Sequence, residues 1–504
     1  MIQGTMSGVG KSLITAGLCR ILSQDGYTPA PFKSQNMALN SYVTADGREM
    51  GRAQVMQSHA AGLEPEYEMN PILLKPTGDT RSQVIVNGHP IGNMTAREYF
   101  AYKKCLIPEI KKAYSHLAGR YDPVIIEGAG SPAEINLKEN DIVNMGLANL
   151  LDAPVLLVAD IDRGGVFAQL LGTVMLLTDD ERKRIKGFII NKFRGDPSLL
   201  DSGIKEIENR TGIPVTGVIP WMPDLGLEDE DSLTDRFHRS ARQGAKLLIA
   251  VIQLPHISNF SDFDPFEQNK DVSLFYTNDP ADLEKADLII IPGTKNTIGD
   301  MRFLKSSGLA DKLCKLAGSV PILGICGGFQ MLGEKIEDPE GVECSDLTAA
   351  CGSDSSSGIR QSSEAAGLGL LPVNTILRPV KHQTRSSGVL NDGIHGIFSR
   401  LSGVSYEGYE IHAGESFGLH NPNPSLPVLV STDRNIYGTY IHGFFDRAEI
   451  TGSVLQSLAG QKKLKLDLSQ QLDQSIFRES RYDRLASVLR EHLDLNYIYG
   501  CLYP

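Results

Sequence analysis

The sequence predicts an α/β protein of two parallel-sheet domains and a helical extension, and three observations carry that expectation. Short β-branched runs, among them Pro123–Ile126, Pro154–Ala159, Gly187–Ile190 and Pro214–Val218, alternate with helical patterns through residues 2–220, as in a parallel sheet covered on both faces. A glycine-rich loop, Gly4-Thr5-Met6-Ser7-Gly8-Val9-Gly10-Lys11-Ser12, heads that series and runs straight into a helical pattern. A second strand series starts at Lys246–Val251 and holds Gly324-Ile325-Cys326-Gly327-Gly328 between an apolar run and another helical pattern. The expected boundaries are 1–235 for the first domain, 246–450 for the second and 451–504 for the extension.

In the first domain, Gly10-Lys11-Ser12 followed by Leu13–Leu18 is the end of a phosphate-binding loop entering its helix. Backbone N–H groups along Gly4, Thr5, Ser7, Gly8 and Gly10 cradle phosphates in such a loop, Lys11 meets their charge, and Ser12 offers a hydroxyl to Mg²⁺. The strict G-x-x-x-x-G-K spacing fails by one residue, because position 5 is Thr. The form G-T-x-S-x-x-G-K-S instead resembles the dethiobiotin-synthetase branch of P-loop proteins. Only Met1-Ile2-Gln3 precede the loop, half an ordinary strand, so a start a few residues upstream is expected.

Glu127 ends the run Val124-Ile125-Ile126, where a second Mg²⁺ ligand belongs in a P-loop fold; Asp46 and Asp160 are further acidic candidates. Asn191-Lys192 follows Ile189-Ile190 and resembles the base-recognising Asn-Lys of nucleotide-binding relatives. Lys33, Lys75, Arg81, Arg163 and Arg194 stand on loops at strand or helix ends and are expected to border the phosphate site. From about residue 223 to 244 the composition turns acidic and polar, with Glu228-Asp229-Glu230-Asp231, which reads as a solvated linker.

In the second domain, G-x-C-x-G on a strand-to-helix turn is the thiol form of a nucleophile elbow. Taken alone, Cys326 is an ordinary small buried residue in a glycine turn. His442 changes that reading: it ends an alternating run, Gly438-Thr439-Tyr440-Ile441, and a Cys with a His distant in sequence is the arrangement of a thiol nucleophile and its base. The apolar run Ala286–Ile291 ends in Pro292-Gly293-Thr294, whose N–H groups could join that of Gly327 in an oxyanion hole. Residues 343–366, rich in Ser, Gly and Ala, are expected to form a mobile loop, and Ile476–His492 a helix.

The 504 residues carry 49 Lys and Arg against 61 Asp and Glu, a net charge of −12. That balance argues against nucleic acid as a partner, and an anionic substrate has to meet a local basic pocket. Seven Cys without C-x-x-C spacing suit a reducing compartment rather than a disulfide framework or a zinc site. No apolar run approaches membrane-spanning length and the N-terminus lacks a signal-peptide pattern, so a cytoplasmic protein with no membrane partner is expected.

The glycine turn after Ile291, the Cys elbow and the strand-borne His, in that order, resemble class I glutamine amidotransferases of flavodoxin-like fold. Their orienting Glu, two residues after the His, is replaced here by Phe444, so Asp446 or Glu410 is expected to take that role, or none does. The segments PFKSQNMALNSYVT, MNPILLKP, EGAGSPAEINL, VADIDRGGVFA, GFIINKFRGD, ISNFSDFDPF, PGTKNT, GICGGFQMLG, GYEIHAGES and GTYIHGFFD together resemble the cobyric acid synthase family, in order and in spacing across nearly the whole chain. The resemblance implies ATP- and glutamine-dependent amidation of the b, d, e and g carboxylates of adenosylcobyrinic acid a,c-diamide in cobalamin biosynthesis. It implies ATP and Mg²⁺ at the first domain, glutamine at the second, a corrinoid substrate and no redox cofactor; for the carboxylates of that corrinoid the five basic residues above are the local cations the sequence offers. Two other readings are a cobyrinic acid a,c-diamide synthase and a P-loop regulatory switch with an inert amidotransferase fold; Cys326 and His442 both present argue against inertness.

Overall fold

The computed structural model describes residues 1–77, 81–222, 225–227, 237, 241–343, 363–419 and 426–502. The acidic run 228–231 and most of the expected mobile loop, 344–362, lie outside the described residues.

Strands Ile2–Gly4, Val155–Asp160, Ile185–Phe193 and Val215–Pro220 pair in that order, all parallel. The parallel pair Ala30–Phe32 and Val124–Ile126 joins the open edge through a bridge between Ile2 and Glu127. The apolar runs form this sheet because helices bury both faces: Val158 and Ile189 pack against helix Lys11–Gln24 on one side, and Leu157, Phe188 and Ile190 against helix Val166–Leu176 on the other. The phosphate-binding loop and Glu127 therefore meet at the C-terminal ends of neighbouring strands, where open α/β sheets bind ligands.

The second sheet runs Val272–Thr277, Leu247–Ile252, Leu288–Ile291, Ile322–Ile325, Ile436–Thr439, Val430–Ser431, parallel except for the last pair. Cys326 follows the fourth of these strands and His442 lies just beyond the fifth, its neighbour. A long antiparallel hairpin, Val373–Val389 with Ser405–Gly418, covers this end of the sheet; its Tyr409 exchanges two backbone hydrogen bonds with His442, at 2.8 and 3.1 Å.

The described part of the extension, residues 451–502, is helical and divides between the two domains. Helix Ala448–Gln461 buries Ile450, Val454, Leu455 and Leu458 in the second domain's core. Helix Gln474–His492 returns to the first domain and packs Tyr482, Leu485, Ala486 and Leu489 with Ile14, Leu18 and Ile21. No helix among the described residues is long and apolar enough to cross a membrane.

Candidate functional site

The phosphate loop is held open by its own geometry. Gly8 and Gly10 have φ of 75° and 93°, and a Cβ on Gly10 would stand 2.4 Å from the Asn191 side chain, so any other residue there is both strained and in collision. Thr5 N donates to Val158 O (2.9 Å) and its hydroxyl to Gln169 (3.0 Å). Gly4 ends the first strand and Ser7 is exposed at the loop's crest. Lys11, buried, points its ammonium at Met6 O and Gly130 O. Ser12 Oγ donates to Glu127 Oε1 at 2.8 Å.

Glu127 is the hub of this centre. Oε1 also accepts Lys33 Nζ (2.9 Å), while Oε2 accepts Gln57 (2.5 Å) and Gln54 (3.4 Å). Burial would raise this carboxyl, but Lys33, Gln57 and Lys11 outweigh it and hold Glu127 below the usual carboxylate range. The Oε1 atoms of Gln54 and Gln57 are buried without a hydrogen-bond partner. A hydroxyl, a carboxylate and spare amide oxygens are the hard donors that Mg²⁺ takes, so these residues fit that ion.

The thiol centre is built on a strained turn. Cys326 has φ 52° and ψ −110°, a conformation that costs about 1–3 kcal/mol and is kept only where packing over-determines it. The flanking glycines permit it: a Cβ on Gly328 would lie 1.9 Å from Ile291 O, and one on Gly324 2.5 Å from Gly328. Cys326 N donates to Thr439 O (2.9 Å), pinning the elbow to the strand that leads to His442. Gly327 packs on Thr294, with room for no more than a hydrogen: a Cβ would come within 3.1 Å of Thr294 N. Gly293 and Thr294 pair with Ser258 and Ile257, and a Cβ on Gly293 would lie 3.3 Å from His442 Cε1.

His442 is fully buried, and its Nδ1 donates to Asp262 Oδ2 at 2.7 Å; Asp262 Oδ1 accepts Gly443 N at 3.0 Å. That leaves Nε2 buried without a hydrogen-bond partner; the Cys326 sulfur, which donates to Ile411 O at 3.7 Å, acts on this ring electrostatically. Burial works against charge on both groups, yet the opposed pair prevails. Asp262 and Cys326 raise His442 to about 9, and His442, with His412 and Lys295 behind it, lowers the Cys326 thiol below its ordinary value. Both shifts run in the direction that favours a thiolate beside an imidazolium. Tyr409 stacks on the His442 ring at 5.4 Å.

Asp262 stands where neither expected carboxylate does. Asp446 lies by Arg478 (3.5 Å) and Glu410 by His412 (3.2 Å), while Phe444, in the position of the usual Glu, is core packing against Phe398 and Phe445. Asp262→Asn should therefore shift the pH midpoint for alkylation of Cys326 by iodoacetamide upward. An imidazolium without its carboxylate loses its proton at lower pH, and the thiolate loses its counter-ion. An unshifted midpoint would remove Asp262 from this role.

Other expected residues are placed differently. Lys75 cannot face a corrinoid, since it is fully buried and ion-paired with Glu49 at 2.5 Å. Lys33, buried on Glu127, belongs to the phosphate centre. Asp46 does not join Ser12 and Glu127: it is half exposed in the turn before strand Glu49–Gly51, with Arg48 at 3.1 Å. Asn191 donates to Val9 O (2.7 Å) and Lys192 to Gly8 O, so both side chains brace the phosphate loop in this structure; Lys192 also pairs with Asp160 (3.0 Å). Arg163 and Arg194 are exposed on the loops after Asp160 and Phe193, close to Asp160 and Asp162 respectively, and Arg81 is half-buried.

Residues 1–234 match the CobQ/CobB/MinD/ParA nucleotide binding domain family, and residues 248–450 match the CobB/CobQ-like glutamine amidotransferase domain family. The chain is 49% identical to a cobyric acid synthase of Lachnoclostridium phytofermentans, over 99% of this chain and 98% of that one. It is 49% identical to a cobyric acid synthase of Ruminiclostridium cellulolyticum, over 99% and 96%, and 47% identical to that of Photorhabdus laumondii, over 100% and 97%. Among solved structures, PurLQS of Thermotoga maritima is 16% identical, covering 43% of this chain and 99% of its own, with a TM-score of 0.28, an overlap too slight to bear on the fold.

Proposed function

The chain belongs to the cobyric acid synthase family, and from that premise we propose that it is an ATP-dependent carbon–nitrogen ligase. It amidates the b, d, e and g carboxylates of adenosylcobyrinic acid a,c-diamide with nitrogen taken from glutamine. The observation that supports the reading most is the pairing, in one chain, of a buried thiol–imidazole–carboxylate line with a phosphate loop whose serine is hydrogen-bonded to a buried Glu.

At the thiol centre, Cys326 Sγ attacks the side-chain amide carbon of glutamine. The oxyanion that forms lies against the N–H groups of Gly327 and the Gly293–Thr294 turn. His442, protonated at Nε2, gives its proton to the departing nitrogen, which leaves as ammonia, and the C–N bond breaks to leave a thioester. Water, deprotonated by the now neutral His442, releases glutamate and restores the pair. Asp262 keeps Nδ1 occupied throughout, so only Nε2 moves protons.

At the phosphate centre the obstacle is different, because a carboxylate would have to expel an oxide. Transfer of the γ-phosphoryl group of ATP gives an acyl phosphate, and ammonia then displaces phosphate from the carbonyl carbon. Lys11 meets the charge of the transferring group, and the loop's N–H groups fix its phosphates. Ser12 and Glu127 would hold Mg²⁺, which when bound offsets charge on the phosphate oxygens. Arg163, Arg194 and Arg81 remain as corrinoid-facing cations.

The test is mass spectrometry of adenosylcobyrinic acid a,c-diamide incubated with enzyme, ATP, Mg²⁺ and glutamine. Successive products, each lighter by the difference between OH and NH₂, are expected. A protein that leaves this corrinoid untouched and amidates only unamidated cobyrinic acid would overturn the assignment.

A further inference from the structure

The two centres sit in different domains, yet one stretch of the nucleotide-binding domain, Asn40 to Gln57, has side chains at both. At its C-terminal end, Gln54 and Gln57 of helix Arg52–Ala60 donate to Glu127. At its N-terminal end it docks on the supports of the glutaminase. Ser41 N donates to Asn259 Oδ1 (3.1 Å), Phe260 N donates to Asn40 Oδ1 (3.2 Å), and Tyr409 OH donates to Ser41 O (3.0 Å). Asn259 and Phe260 open the single helical turn that carries Asp262, and Tyr409 is the residue stacked on His442.

Between those ends lies Glu49, fully buried. Its Oε1 accepts Lys75 from its own domain at 2.5 Å, and its Oε2 accepts Lys381 (2.6 Å) and Gln383 (2.9 Å) from the amidotransferase hairpin. Lys295, the residue after Thr294, belongs to the same group. Burial lowers Lys381 to about 8 and Lys295, which also feels Lys75, to about 7, with Glu49 opposing the shift in each; both lysines act electrostatically on the Cys326 thiol. One carboxylate of the first domain thus sets the charge beside the nucleophile of the second.

At the other end, Glu127 has no acceptor position to spare. Ser12 and Lys33 take Oε1, and Gln57 and Gln54 take Oε2, the full capacity of a carboxylate. A phosphate-bound cation that takes a Glu127 oxygen has to displace a donor, and the neutral amides are lost at lower cost than the ion pair. Gly51 N is tied to Asn70 Oδ1 (3.0 Å), and Asn70 in turn donates to Lys33 O (3.2 Å). A change at Glu127 therefore reaches residue 51 from two directions, two residues from Glu49.

We propose that Asn40–Gln57 couples the two centres: Gln54 and Gln57 register occupancy of the phosphate site, and Asn40, Ser41 and Glu49 set the geometry and charge around His442 and Cys326 accordingly. The inference rests on the two-centre reading above. It makes Glu49 a positioning residue for a reaction in the other domain, and glutamine is then hydrolysed mainly when the acceptor side is ready.

The experiment follows alkylation of Cys326 by iodoacetamide in the full chain, with and without Mg²⁺ and a non-hydrolysable ATP analogue. The native protein is expected to change its alkylation rate by roughly fivefold or more on nucleotide addition. In Glu49→Gln the rate should no longer respond to nucleotide, while ammonia-dependent amidation stays close to native, which also shows that the variant is folded. Should Glu49→Gln fail to fold, Tyr409→Phe, which removes only the hydroxyl on Ser41, decides by a diminished response. A native rate indifferent to nucleotide, or a full response in the folded variant, overturns the coupling. Corrinoid amidation without a nucleotide effect on alkylation rejects the coupling alone, and a nucleotide effect without corrinoid amidation rejects the substrate alone.

Discussion

Cys326→Ser is expected to lose glutamine-dependent amidation by roughly 10⁴-fold or more, as removal of a covalent nucleophile does where the catalytic groups act as a unit, while amidation with concentrated ammonium salt stays close to native. The surroundings of Cys326 are arranged for a thiolate: His442 is held charged by Asp262 at 2.7 Å, and the thiol is lowered despite its burial. A serine hydroxyl in the same place has a far higher pKa, and the imidazolium then has no anion to stabilise. The side chain also sits at φ 52°, so the oxygen is presented in the same strained geometry and a change of fold is not expected. In the proposed mechanism free ammonia enters after the thioester step and needs only the acyl phosphate. The check is a pair of rates on one corrinoid, with glutamine and with ammonium chloride as nitrogen source. Loss of both with an unchanged unfolding midpoint would show that Cys326 serves more than the glutaminase.

Much of this arrangement is legible in the sequence for a physical reason. Apolar runs such as Leu288–Ile291 and Ile322–Ile325 are buried on both faces, so their composition alone marks them as inner parallel strands. The elbow at Cys326 and the loop at Lys11 are local devices, and local devices are written in contiguous residues. Asp262 is not local. It reaches His442 from a single helical turn 180 positions earlier, and only its place among Phe260, Phe263 and Phe266, all buried, hints that this acid needs a partner. Lys75 was open to a similar argument, since it sits within the strand Ile72–Pro76 among buried neighbours. An ammonium there has to find a carboxylate, and Glu49 supplies it. The return of helix Gln474–His492 to the first domain was not readable, because an apolar face does not name the surface it covers.

Lys11→Ala is expected to abolish amidation with either nitrogen source, which separates it from Cys326→Ser. In the proposed mechanism both routes pass through the acyl phosphate, and Lys11 is the cation of the phosphate loop: its ammonium lies 3.2 Å from Met6 O and 3.4 Å from Gly130 O. A charge that stabilises a transferring phosphoryl group is worth roughly 10³-fold or more in rate. The neighbouring cation does not substitute for it, because Lys33 is committed to Glu127 at 2.9 Å. Neither does Lys192, whose ammonium is held by Asp160 and the carbonyl of Gly8. Replacing Lys11 also removes one of the charges that lower Glu127, but Lys33 and Gln57, which lower it as well, stay in place. The deficit should therefore fall on phosphoryl transfer itself, read as ADP release in the presence of corrinoid, with the alkylation midpoint of Cys326 unmoved. Near-native ammonia-dependent rates in Lys11→Ala would place phosphate activation elsewhere in the chain.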